Sequence, residues 1–309
     1  MRVVVALGGN ALLPRGEPLT QENQVRAVSE AMEVLAPVSV DHHLVITHGN
    51  GPQVGMLANL SAGAEHAQTF DVLDAQTEGM IGYLIERELR ELLPAVREVA
   101  TLVTLIEVDP KDPAFANPTK FIGPVYSKDQ AEQLAAERGW VVKEDGQYWR
   151  RVVPSPSPAA IPGISTINRL LREEVTVVCA GGGGIPVAWD AVARRYSGVE
   201  AVIDKDLATS LLAYELSADL MVIATDVEGV YENWGTPEQK LIATAHPKAF
   251  DTSAFPAGSM GPKVAAAIEF VERGLRGEAV IGSLSQLAEI LDGTAGTRVG
   301  RQYSGITYR

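Results

Sequence analysis

Three lysines occupy glycine- or proline-rich settings: Lys120 in Pro-Thr-Lys-Phe-Ile-Gly-Pro, Lys205 in Val-Ile-Asp-Lys-Asp-Leu-Ala, and Lys263 in Gly-Ser-Met-Gly-Pro-Lys-Val. The chain otherwise favours arginine, 18 Arg to 8 Lys. A compact ammonium on a flexible stem suits a moving phosphoryl group, whereas the planar fork of arginine suits fixed bidentate pairs. The lysines therefore point to phosphoryl transfer. Asp204 and Asp206 flank Lys205 at the start of a helical pattern. Acids at that position serve as cap and dipole partners, or one of them stands between Lys205 and Lys263 and holds two like charges together.

Glycine clusters end three strand-like runs: Leu7-Gly8-Gly9-Asn10, the stretch Gly49-Asn50-Gly51-Pro52 after His48, and Gly181 to Gly184 after Ala180. Glycine lets successive backbone N–H groups converge on an anion, and a following helix N-terminus adds positive partial charge. Asn50 falls near the cap of such a helix and Pro52 at its first turn. The segment 49–55 also has the Gly-x-Gly-x-x-x-Gly spacing of some nicotinamide-binding folds. The acid that such folds carry on a following strand is missing, because Asp71 lies in a polar, helix-like stretch. The phosphate-binding loop Gly-x-x-x-x-Gly-Lys-[Ser/Thr], the protein-kinase motifs and the serine elbow are absent. The histidines at 42, 43, 48, 66 and 246 show no metal spacing, and only His48, beside a glycine turn, is a candidate site member. The lone Cys179 lies in an apolar strand pattern and reads as core.

The elements that must position these groups alternate along the chain. Apolar runs at 2–7, 44–47, 100–106, 175–180, 220–224 and 278–281 predict strands buried on both faces, separated by helical patterns at 20–36, 76–92, 206–216, 263–274 and 284–291. Such alternation predicts an α/β fold, a mostly parallel sheet between helical layers, with ligands at the carboxyl ends of the strands. Residues 109–162 break the rhythm with eight prolines and with Asp145-Gly146 between two strand-like runs. They predict a protruding β-hairpin and place Lys120 on a lid. Residues 220–235 read as a strand and a loop with Asp226 able to reach a ribose or a metal. A net charge of -13 argues against nucleic acid and anionic membrane surfaces as partners, and no segment is long and apolar enough to span a membrane. A cytoplasmic address is expected.

Six motifs, in order, resemble the carbamate kinases of the amino-acid kinase family: Ala6-Leu-Gly-Gly-Asn-Ala-Leu-Leu13, His48-Gly-Asn-Gly-Pro-Gln-Val-Gly55, the 179–187 run, Val202-Ile-Asp-Lys-Asp-Leu-Ala208, Thr225-Asp-Val-Glu-Gly-Val-Tyr231 and Gly258-Ser-Met-Gly-Pro-Lys-Val264. The resemblance implies an open three-layer αβα sandwich in one 1–309 domain, usually as a homodimer. It implies carbamate or carbamoyl phosphate near Gly8, Gly9, Asn10, Gly49, Asn50 and Gly51 in a half running to about 195, which includes a lid at about 110–160. Mg2+ with ATP or ADP is implied in the half from about 196, with the nucleotide pocket near Asp226, Val227, Val230, Tyr231, Met260 and Pro262. Lys205, Lys263 and Lys120 match the family's lysines at the phosphoryl group, and Asp206 matches the acid that organises them; no residue is assigned as a direct metal ligand. Arginine breakdown is the pathway such enzymes serve. Phe121 departs from the proline expected after Lys120, which bears on the shape of the lid. Two other readings are a family member acting on another small carboxylate or phosphate, and a nucleotide-binding regulator without activity.

Overall fold

Arg2–Leu7 carries five consecutive apolar residues, so neither face of this strand can meet water. Val3, Val5 and Leu7 point into one core and Val4 into another. In the computed structural model, which describes residues 1–14, 16–61, 67–255 and 260–309 without the side chains of Asn10 and Ser253, this strand is central. It pairs in parallel with His43–His48 on one side and Leu220–Thr225 on the other. Glu278–Ser283 and Thr176–Val178 extend the parallel core outward, Val99–Thr101 forms one edge, and antiparallel strands complete the other edge in a ten-stranded sheet.

Helices cover both faces. The helices among the described residues are α1 (Gln21–Asp41), α2 (Gly51–Ser61), α3 (Phe70–Leu92), α4 (Lys128–Arg138), α5 (Ile164–Arg172), α6 (Lys205–Glu215), α7 (Met260–Arg273) and α8 (Leu287–Leu291). One core packs α1, α3 and α8 against the sheet through Met32, Leu35, Ile81, Ile85 and Ile290. The opposite core packs α5, α6 and α7 through Ile167, Leu211, Leu212, Val264 and Phe270. The three-layer α/β expectation is therefore met.

Three local expectations change. The 100–106 run is two strands, Val99–Thr101 in the large sheet and Leu105–Val108 in a separate four-stranded sheet. The break falls where the Thr104 N–H leaves the ladder to donate to the Glu78 carboxyl at 3.0 Å. The excursion holds more than a hairpin: Lys120–Tyr126, Tyr148–Val153 and Val141–Asp145 form a three-stranded antiparallel sheet, covered by α4. The 284–291 pattern begins as a 3-10 turn and becomes helical only at Leu287.

Candidate active site

Because the central strands run parallel, their carboxyl ends gather along one edge of the sheet. The turns there interlock. A Cβ on Gly8 would stand 3.0 Å from the Ala224 carbonyl, and one on Gly49 would stand 3.4 Å from the Gly9 nitrogen. The first approach is close enough to favour glycine at position 8; the second is ordinary contact. The turns open onto a cleft of about 1210 Å³ lined by Gly8, Gly9, Gly49, Asn50 and Gly51 at one end. Asp226, Val227, Tyr231, Met260 and Pro262 line the other. Lys120, Lys205, Asp206 and Lys263 lie in the same cleft.

Asp206 and Lys205 stand in the first turn of α6, and Lys263 in the first turns of α7, a helix packed against α6. Lys205 Nζ donates to Asp206 Oδ1 at 2.5 Å and Lys263 Nζ to Asp206 Oδ2 at 3.0 Å. Burial alone would raise the Asp206 carboxyl, yet the two lysines hold it below the ordinary carboxylate range. Burial draws Lys205 down, helped by Lys263 and opposed by Asp206. One carboxylate thus keeps two ammonium groups together in the cleft lined by the glycine turns. Asp204 acts differently. It caps α6 by accepting from the Asp206 and Leu207 amides, and its second oxygen receives Lys120 Nζ at 2.6 Å. Lys120 is the first residue of the Lys120–Tyr126 strand of the three-stranded sheet.

At the end lined by Asp226 and Tyr231 the walls are aromatic. Tyr231 and Trp234 pack tilted at 59° with centroids 5.0 Å apart, and Phe250 and Phe255 meet edge to face at 6.0 Å. All four line the cleft, a surface suited to a planar base. Val230 does not line it. Its side chain is fully buried in the core and its amide donates to Thr297 Oγ1 at 2.8 Å, so it secures the loop from beneath. Asn10 belongs to the 3-10 turn Gly9–Ala11, and its side chain lies outside the described residues. His66 and the Gly258-Ser259 start of the Lys263 motif lie outside them as well.

His48 is buried rather than lining the cleft: a Cβ on Gly181 would come within 2.3 Å of its ring. Burial lowers it to about pH 4, so the imidazole is neutral at physiological pH. Cys179 is buried too, and burial pushes its thiol above the titration range of a reactive cysteine. The aromatic members of the 220–235 loop, Trp234 among them, read from the sequence as able to wall an adenine, whereas sequence reasoning missed Phe250 and Phe255 because scattered aromatics have no spacing signature. It also missed Asp74, Thr77 and Glu78, three buried polar groups on α3. Their i, i+3, i+4 spacing within an apolar stripe was the available signal.

Residues 1–281 match the model of the amino acid kinase family. A carbamate kinase of Haemophilus influenzae is 52% identical over 310 residues, covering 100% of this chain and 99% of that protein. A carbamate kinase of Pyrococcus horikoshii is 45% identical over 96% of this chain and 98% of its own length. The structure of a Giardia lamblia carbamate kinase bound to AMP-PNP superposes with a TM-score of 0.85 at 38% identity, covering 96% of this chain and 98% of that one. With the whole length matched and the strand-end turns closing on one cleft, the chain belongs to the amino acid kinase family, among its carbamate kinases.

Proposed function

We propose that this cleft carries reversible phosphoryl transfer, ATP and carbamate to ADP and carbamoyl phosphate. Carbamate occupies the glycine turns of a half running to about residue 195, and the nucleotide occupies the half from about 196. The observation that carries this reading is Asp206 held between Lys205 and Lys263 beside the glycine turns. A carbamate oxygen attacks the γ-phosphorus as the bond to the β-phosphoryl oxygen breaks. Carbamate is already an anion, so no general base is required, and positioning with charge neutralisation supplies the catalysis. Lys205 and Lys263 meet the charge on the transferring group, Asp206 holds them in place, and the glycine amides orient the acceptor. Lys120 brings a third ammonium from the lid. The nucleotide reading is supported by the aromatic wall and by the AMP-PNP complex of the Giardia relative.

Among the described residues no three His, Cys, Asp or Glu side chains group to hold a metal unaided. The residues present therefore fit Mg2+ brought in on the phosphates, with water filling its shell. When bound, the metal draws charge from the β- and γ-phosphoryl oxygens. The reading extends to a cytoplasmic homodimer in arginine metabolism. Its support is membership of the family. Light scattering coupled to size exclusion checks the dimer.

The deciding experiment is ATP formation from Mg-ADP and fresh carbamoyl phosphate, with spontaneous breakdown subtracted, for wild type and Lys205→Ala side by side. Rapid ATP production lost in the variant supports reaction and site together. No ATP above background from folded, ADP-binding protein overturns the carbamate reading.

A further inference from the structure

Behind the acceptor end of the cleft, α3 turns a polar, fully buried stripe toward two glycine loops at once. Asn50 Nδ2 donates to Asp74 Oδ1 at 2.9 Å and to Thr77 Oγ1 at 2.8 Å. The Thr77 hydroxyl spends its own proton on the backbone carbonyls of Leu73 and Asp74, at 3.1 and 3.0 Å. Toward Asn50 that hydroxyl can only accept, so the group facing it must be the amide nitrogen. One helical turn on, Glu78 Oε1 accepts from the Gly181 amide at 2.9 Å and Oε2 from the Thr104 amide at 3.0 Å. Gly182, at φ +70°, lies against the Asn50 amide so closely that a Cβ there would fall 2.1 Å from Nδ2. The amide is therefore fixed in plane and in sense. With both N–H bonds directed to α3, what Asn50 offers the cleft it lines is a carbonyl oxygen, an acceptor.

We propose that Asp74, Thr77 and Glu78 are positioning residues that orient Asn50 so that its carbonyl oxygen receives the amino group of the substrate. This rests on the carbamate reading above and extends it to specificity. Carbamate and carbamoyl phosphate carry an NH2 that acetate and acetyl phosphate lack, and a fixed acceptor distinguishes the two pairs. Protonation is consistent with this geometry. Burial raises Asp74 well above the usual carboxylate range, with Glu78, Asp71 and Glu200 adding to the rise against the Asn50 bond. With or without a proton on Oδ2, which has no partner among the described residues, Asp74 presents Oδ1 to Asn50 as an acceptor. Two more titratable side chains lie beneath these loops: burial raises Glu78 to about 8, and burial, helped by Lys205, lowers His48 to about 4.

The test compares carbamoyl phosphate with acetyl phosphate as donor to Mg-ADP in wild type, Asp74→Asn, Asp74→Ala and Thr77→Val. Removing an acceptor frees the amide to turn. In Asp74→Ala and Thr77→Val the KM for carbamoyl phosphate should rise about tenfold, and the kcat/KM preference over acetyl phosphate should fall by about the same factor, with the KM for ADP within about twofold. Asp74→Asn keeps an acceptor oxygen and should retain the preference. If both donors decline in parallel, or the preference survives in Thr77→Val, the positioning role is overturned while the carbamate reading stands. Thr77→Val is nearly isosteric, so it decides the matter even if Asp74→Ala fails to fold, which a thermal melt reports. A wild type that makes no ATP from carbamoyl phosphate overturns both proposals.

Discussion

Asp206 performs two jobs with one carboxylate, and each job predicts a different measurement. Toward catalysis, it keeps Lys205 and Lys263 together, which in the proposed reaction lets both act on one phosphoryl group. Lys263→Ala should lower kcat by about 10²–10³, the loss that follows removal of one preorganised donor to a developing charge. Near-wild-type turnover in the steady-state assay would exclude Lys263 from the chemistry. Toward stability, breaking a buried pair from one side leaves unpaired charge, so Asp206→Ala should cost roughly 3–5 kcal/mol in denaturant melts unless bound phosphate replaces the carboxylate. The sign with pH follows from a folded carboxyl held below its ordinary value. Its contribution is complete above about pH 4 and is lost as pH falls below that, because the unfolded chain then takes up a proton that the folded one refuses. Wild type should therefore lose stability more steeply than Asp206→Asn on acidification below about pH 4.

At the scale of the element, the lid is the part whose placement rests on the smallest residues. Its strand Lys120–Tyr126 runs against α2 so closely that a Cβ on Gly55 would stand 2.8 Å from the Gly123 Cα. Arg151 fastens the other side, with its guanidinium 4.8 Å from the Phe70 ring of α3 and 4.7 Å from Trp140 of the lid. Gly55→Val should push the lid outward and carry Lys120 away from the cleft. The expected result is a kcat loss together with faster proteolysis within 110–160, whereas ADP binding by calorimetry should stay within about twofold, since the base-binding wall is untouched. Unchanged turnover would mean that Lys120 acts without the docking seen here. The lid also shows what a sequence conceals. Its prolines and the Asp145-Gly146 turn marked a β excursion, but α4 buries only Ala131, so it lacks the apolar stripe by which helices are recognised. Its readable signal was local, the capping box of Ser127 and Gln130 and the left-handed Gly139 that ends it.

Across the whole molecule, legibility followed burial pattern. The central strands were readable because parallel strands covered on both faces leave unbroken apolar runs, as in Arg2–Leu7 and Leu220–Thr225, and the lysines were readable because glycine and proline framed them. The four-stranded sheet and the α3 polar stripe were not, since both depend on contacts between segments distant in sequence, such as Glu78 with Gly181. That stripe makes the last prediction, one about overall stability. Burial raises Glu78 to about pH 8 from 4.5, and lowers His48 to about pH 4 from 6.5. The Glu78 contribution is complete below about pH 4.5 and fades as pH rises toward 8; the His48 contribution is complete above about pH 6.5 and fades as pH falls toward 4. Between about pH 4.5 and 6.5 the two slopes oppose and nearly cancel. Above about pH 6.5 only the acids remain, and each proton is worth roughly a kcal/mol per pH unit. Because Asp74 is raised as well and has no such counterweight, stability by chemical denaturation should decline gently from about pH 5 to 6.5 and more steeply toward pH 8. Glu78→Gln should lower stability at every pH, because an amide offers one acceptor oxygen where the Gly181 and Thr104 N–H groups each need their own, and it should also flatten the alkaline slope. A variant with an unchanged slope between pH 6.5 and 8 would show that Glu78 is ionised throughout, its two backbone donors outweighing its burial.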